Sequence, residues 1–367
     1  MRLDRVLRLP LAALCAIAGI ATRALAQELE SPVLFLERAY FTPASPFGKK
    51  LVFEGQPTAH YFLFNTFGDS AWQAHGGLGI AAPVSELFVV RMSGSASTPV
   101  LTPSYHIGLR LQLAYLWHDT VNVLPFRMLH VMTGVMHYSN GQNGCTYLGF
   151  TRSVTAGTCA PGPTAADSAL AARSLANTVS GDFSTSYIPF GVDFRWGQLI
   201  PKTNTLKSQV TLGAQLQIHP LRGLPGAPEP QQIAQYAKNE WSASGEWECR
   251  NQAQSGVWRL AGSSTTRFGG GAQSFSRGAA EVSYIFEGAR VHAVRFFGVP
   301  VTPPIHLHHA GFVARFNTGY DYYNIHFQER GNFWSLGILL DPGRLDGLNE
   351  HKDARAGNYS VGNCLPW

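Results

Sequence analysis

Between residues 105 and 117 every second side chain is apolar or aromatic: Tyr105, Ile107, Leu109, Leu111, Leu113, Tyr115 and Trp117. The alternate positions carry His106, Gly108, Arg110 and Gln112, with His118 just beyond. A period of two sustained over that length is a strand with one apolar and one polar face. Few architectures can use it. In a β-sandwich the apolar face meets a second sheet, and nothing gathers Tyr and Trp at the strand ends. In a transmembrane barrel the apolar face meets lipid, the polar face lines the lumen, and aromatics mark the two interfaces. Leu206–Ile218 repeats the pattern. Leu206, Val210, Leu212, Ala214, Leu216 and Ile218 face one way, and Lys207, Gln209, Thr211, Gln215, Gln217 and His219 the other. The expected fold is all-β, an antiparallel transmembrane β-barrel.

Composition agrees. Charged residues make up 14% of the chain and aromatics 12%, against roughly 25% charged in soluble domains. The first 26 residues read as an export leader. Arg2, Arg5 and Arg8 precede an apolar run that ends at Ala24-Leu25-Ala26, and that run is shorter than the ~20 residues a spanning helix needs. The leader holds Arg2, Arg5, Arg8 and Arg23 against Asp4, so of the formal +5 only about +2 remains on the mature chain. No Lys/Arg block is left to bind nucleic acid. Export of a barrel points to the bacterial outer membrane.

The expected organisation is a leader at 1–26, an N-terminal periplasmic segment at 27–60, the barrel at 61–342 and a C-terminal tail at 343–367. Further strands are expected at 86–92, 127–139, 185–196, 280–287, 312–321, 323–329 and 333–340. The stretches 142–183 and 220–255 read as external loops. Cys145 and Cys159 close a short loop, where a disulfide would contribute roughly 3 kcal/mol. Cys249 and Cys364 are the pair left over. An external 220–255 and a periplasmic tail would put the membrane between them, so that pairing and that topology conflict.

Chemistry concentrates at His137-Tyr138-Ser139-Asn140-Gly141. On a strand, His137 and Ser139 point to the same side, as a serine nucleophile and its histidine base require. A Gly two residues later lets a backbone N–H approach a developing oxyanion. Parity assigns the pair to the face of Leu129, Val131 and Val135, the lipid face. Polar groups there are costly unless paired, and well placed if lipid is the substrate. No G-x-S-x-G elbow and no H-E-x-x-H occur, and His306-x-His308-His309 lacks the further ligands of a zinc site.

The five-residue motif resembles the H-x-S-N-G of the outer-membrane phospholipase A family, and residues 322–328, Arg330 and 333–341 resemble that family's last hairpin. The resemblance implies a twelve-stranded barrel, a Ser-His-Asn triad on the lipid-facing wall, and calcium-dependent hydrolysis of phospholipid acyl esters enhanced by homodimerisation. It makes Ser139 the nucleophile and His137 the base, with Asn140 and Gly141 in the oxyanion environment. The family's third member stands in a Ser-x-Asn setting at the start of the next strand. Here Ser184-Thr185-Ser186 takes that place, so Ser186 is the expected partner of His137, with Asp182 and Asn177 as alternatives. Calcium, if bound, would draw on oxygens near Gln142 and Ser184. Two other readings stay open: a lipid A deacylase-like hydrolase, whose family places Glu third, and a non-enzymatic pore or structural barrel.

Overall fold

The computed structural model describes residues 39–45, 51–67, 76–93, 101, 103–118, 125–148, 150–152, 159–161, 176–177, 180–199, 206–219, 238–250, 256–269, 275–286, 289–291, 295–296, 299–300, 305–307, 310–320 and 330–340. In chain order the strands are β1 (Ala39–Ser45), β2 (Leu51–Gln56), β3 (Thr58–Asn65), β4 (Gly77–Ser93), β5 (Ser104–His118) and β6 (Pro125–Ser139). Two short strands follow, β7 (Phe150–Arg152) and β8 (Cys159–Pro161), then β9 (Ser184–Leu199), β10 (Leu206–Ile218), β11 (Asn239–Arg250), β12 (Gly256–Phe268) and β13 (Phe275–Phe286). The short β14 (Ala289–Val291), β15 (Arg295–Phe296), β16 (Val299–Pro300) and β17 (Ile305–Leu307) precede β18 (Ala310–Tyr320) and β19 (Arg330–Leu340).

The long strands pair antiparallel with their sequence neighbours, and β1 pairs with both β19 and β2, so the sheet closes on itself. β2 and β3 both lie along β4 and are separated only by Pro57, which lacks the N–H a ladder needs. They form one staggered wall strand. The wall is a closed antiparallel barrel of 12 strands.

The expected alternation is the observed one. Tyr105, Ile107, Leu109, Leu111, Leu113, Tyr115 and Trp117 are exposed on the outer surface, whereas Arg110, Gln112 and Ala114 are buried. On β6, Leu129, Val131 and Val135 face outward and Met128, His130, Met132 and Met136 inward. Phe190, Val192 and Phe194 continue the apolar outer surface on β9. Trp241, Trp258, Leu260, Phe312, Trp334 and Leu336 extend it around the barrel.

Inside, charge is neutralised locally. Asp193 accepts from Arg195 Nε at 2.9 Å and lies 3.1 Å from His130 Nδ1. Arg259 bridges Glu246 and Glu281, and Arg315 Nη2 donates to Glu281 at 2.7 Å. The Tyr40 hydroxyl donates to Glu54 at 2.6 Å, and Arg267 Nε to Glu240 at 2.7 Å. Buried ions persist only when paired in this way.

The strand ends joined by two long connections, Ser139 to Ser184 and Ile218 to Asn239, lie at one end of the barrel; those joined by short ones, His118 to Pro125, Leu199 to Leu206 and Arg250 to Gly256, lie at the other, where Ala39 and Leu340 pair. Barrels carry short turns at the periplasmic end and longer loops outside. The connection from β13 to β18 also leaves from this second end and includes β14–β17.

Three expectations need correction. Residues 39–45 and 51–60 are wall rather than a periplasmic segment, because β1 and β2 supply the closing seam. Residues 239–250 are strand β11 rather than loop; Trp241 and Trp247 alternate with Glu240, Glu246 and Glu248, but small residues between them mute the pattern. β12 lies across 256–268, where no strand was expected. The second correction also removes the topological conflict over Cys249. β11 carries Cys249 to the short-turn end, the end at which β19 finishes. Cys249 is disulfide-bonded, and its partner lies outside the described residues. The leader, the tail from 341 and the expected strand at 323–329 also lie outside them.

Candidate functional site

β5, β6 and β9 lie side by side, and their register builds the site. Ser139 pairs with Tyr105 on one side and Ser184 on the other; His137 pairs with Ile107 and Ser186. All six belong to the outward-facing rows of their strands. His137 and Ser139 are half-buried, near the long-loop rim. Below them the surface turns apolar, with Val135 61% exposed and Phe190 48% exposed toward the membrane.

His137 Nδ1 lies 3.1 Å from Ser186 Oγ, a cross-strand hydrogen bond. When Nδ1 carries the proton and donates it to Ser186, Nε2 keeps its lone pair, the tautomer a general base needs. Among the described residues no hydrogen bond joins His137 to Ser139; such contacts are commonly long before substrate arrives. Of the other expected partners, Asn177 donates through Nδ2 to Cys145 O at 3.2 Å and to Ser180 Oγ at 3.2 Å, within the loop. Asp182 accepts at its backbone oxygen from Thr146 Oγ1 at 2.7 Å. Ser186 is the one that touches the imidazole.

The inner side of the same strands is packed. Met136, Tyr138, Phe183 and Tyr187 form a buried cluster behind the His137–Ser186 pair. The His106 ring stacks on Tyr138 with centroids 3.8 Å apart. Thr185 Oγ1 sits 2.8 Å from His219 Nδ1, and burial pushes His219, one residue past the end of β10, down to a pKa of about 4.

The long connection after Ser139 is tied to the strand ends. Cys145 and Cys159 form a disulfide. Gly144 N–H donates to Ser180 O at 3.1 Å, and Asp182 N–H to Gly144 O at 2.9 Å. A Cβ on Gly144 would meet Ser180 O at 2.2 Å, so only Gly permits this approach. Asn140, expected in the oxyanion environment, is turned into this loop instead. Its backbone N–H donates to Phe183 O and its side chain bonds Gly181 and Phe183, because the chain folds back across the strand end. Gly141 has φ +66°, and a Cβ there would meet the Tyr105 ring at 3.5 Å; among the described residues its N–H has no acceptor.

Gln142, Ser184 and, from the loop, Asp182 supply hard oxygen donors of the kind calcium takes. The Gly144–Asp182 bond brings the two chain segments that carry them together.

No protein-family model matches the chain, and no curated protein matches its sequence. Solved structures do resemble it. The outer membrane phospholipase A from Escherichia coli is 13% identical with a TM-score of 0.37, over 88% of this chain and 97% of that one. The Salmonella typhi outer membrane phospholipase, described as a dimer with bound calcium, is 14% identical with a TM-score of 0.36, over 83% and 91%. Acinetobacter baumannii OccAB1 is 9% identical with a TM-score of 0.33, over 83% and 94%. At these values the likenesses carry no functional argument, and the barrel rests on its own strand pairing.

Proposed function

We propose that this chain is an outer-membrane hydrolase that cleaves phospholipid acyl esters at a serine site on its lipid-facing wall. The observation that supports this reading best is the 3.1 Å contact between His137 Nδ1 and Ser186 Oγ on the outward face, two residues from Ser139. Ser139 Oγ attacks the ester carbonyl while His137 Nε2 takes its proton. His137 then returns that proton to the departing glycerol oxygen. Ser186 holds the ring in the productive tautomer, and the Gly141 N–H donates to the tetrahedral oxyanion. Water, activated by His137, then releases the fatty acid from Ser139.

Ser186 has no carboxylate, so it stabilises the imidazolium less than Asp or Glu would. Calcium would be held by oxygens of Gln142, Asp182 and Ser184, and would supply positive charge to stabilise the developing oxyanion. By the same family resemblance, a homodimer would present two such sites to one bilayer.

The test is fatty-acid release from phospholipid–detergent mixed micelles by wild type and Ser139→Ala. Release by the wild type alone is expected. Equal release by both would contradict the reading, and acyl release from lipopolysaccharide with none from phospholipid would move the substrate to lipid A.

A further inference from the structure

Resting on that reading, we propose that Asn140 is a positioning residue that leaves one backbone amide, that of Gly141, open to the oxyanion. The inference comes from where the amides after Ser139 go. Asn140 N–H donates to Phe183 O at 2.9 Å and extends the β6–β9 ladder by one rung. Gln142 N–H donates to Asn140 Oδ1 at 3.2 Å, a side-chain mimic of a tight turn. Gly141, between them, is exposed, and among the described residues its N–H meets no acceptor. Three successive amides are thus divided: the first goes to the ladder, the third to the Asn140 side chain, and the middle one remains.

The Asn140 side chain does more than close the turn. Oδ1 also accepts from Phe183 N–H at 3.0 Å, and Nδ2 donates to Gly181 O at 2.7 Å. Its amide therefore stitches the chain leaving β6 to the chain entering β9, and it is only 1% exposed. Because Ser186 enters on β9 and Ser139 leaves on β6, this stitch fixes the distance between nucleophile and imidazole partner. A position held on both strands costs no reorganisation as charge develops, which is how oxyanion donors act. Leu has neither function. Asp keeps both acceptor contacts but faces Gly181 O with an acceptor of its own.

The test measures kcat and KM for phospholipid in mixed micelles with Asn140→Asp and Asn140→Leu, per mole of folded protein. Folding is scored by heat-modifiable gel mobility. The expected result is a graded fall in kcat, about tenfold for Asn140→Asp and a hundredfold or more for Asn140→Leu, with KM within about twofold. If Asn140→Leu does not fold, the Asn140→Asp value decides alone. An unchanged kcat per folded mole would overturn the positioning role even where thermal stability has dropped, and so would a rise in KM with kcat unchanged. Equal activity of Ser139→Ala and wild type would instead remove the underlying hydrolase reading, so the two failures are distinguishable.

Discussion

Two His–Ser contacts of nearly equal length among the described residues lie on opposite faces of the wall. His60 Nδ1 lies 2.9 Å from Ser85 Oγ on the lumen side, between β3 and β4. His137 Nδ1 lies 3.1 Å from Ser186 Oγ on the outer side, between β6 and β9. As isolated chemistry the pairs are the same. Their surroundings differ. Ser85 is 1% exposed; the hydroxyl two residues before its histidine, that of Thr58, is buried with it, and two residues past that histidine stands Phe62. His137 has Ser139 at that spacing, a glycine amide beyond it, and an apolar strand surface below on which an acyl chain can lie. A third imidazole, His130, has a carboxylate partner in Asp193 but is buried in the lumen. On the proposed reading, the face of the sheet is what separates a structural histidine from a catalytic one.

The largest expected effect breaks that comparison directly. Ser139→Ala should lower ester hydrolysis by about a thousandfold or more, while Ser85→Ala leaves it within about twofold; fatty-acid release from micelles measures both. Next is the base. His137→Asn should cost at least a hundredfold, and His60→Asn should not affect kcat. A comparable loss in both histidine variants would mean that the lumenal pair takes part.

The partner residue sharpens the comparison further. Ser186→Ala removes one hydrogen bond from the imidazole and should lower kcat about tenfold, matching a net ~1.4 kcal/mol. Ser186→Asp should move the acid limb of kcat/KM to higher pH, because a carboxylate beside His137 favours its protonated form. A pH profile that stays in place would show that residue 186 does not couple to the base.

These effects depend on strand parity, and parity was largely readable in the sequence. The 105–117 alternation set the outer face, and the same counting on 127–139 and 185–196 put His137, Ser184 and Ser186 on it; the family resemblance singled out Ser186, and the register pairs it with His137 across a connection of more than forty residues. What could not be read has physical causes. β1 has seven residues, includes Pro43, and points Tyr40 inward to Glu54, so it lacks a clean apolar face. β11 follows a Pro-rich stretch, and Ala243 and Gly245 occupy outer positions that carry larger side chains elsewhere. Asn140 illustrates a different limit. Its neighbours in sequence suggested an oxyanion role, but its side chain is committed to Gly181 and Phe183, a contact some forty residues away that no local pattern encodes.

The smallest expected effect concerns the packing behind the site. His219 is buried and neutral, with a folded-state pKa of about 4 against about 6.5 unfolded. Its folded pKa is the lower one, so its contribution is complete above about 6.5 and is lost as pH falls toward 4. That loss is at most roughly 3 kcal/mol. Thermal melts of wild type and His219→Gln across this window should converge as the pH falls; parallel curves would show that His219 does not carry the dependence.

Ser139, as the proposed activated serine, is open to a serine-directed sulfonyl fluoride. Folded protein in mixed micelles is treated with the reagent, digested, and the modified residue mapped by mass spectrometry. The account predicts a single sulfonylated serine at Ser139, labelling that fails in His137→Asn, and loss of hydrolysis in step with labelling. Full hydrolysis with Ser139 unmodified, or a label at Ser85, would contradict it.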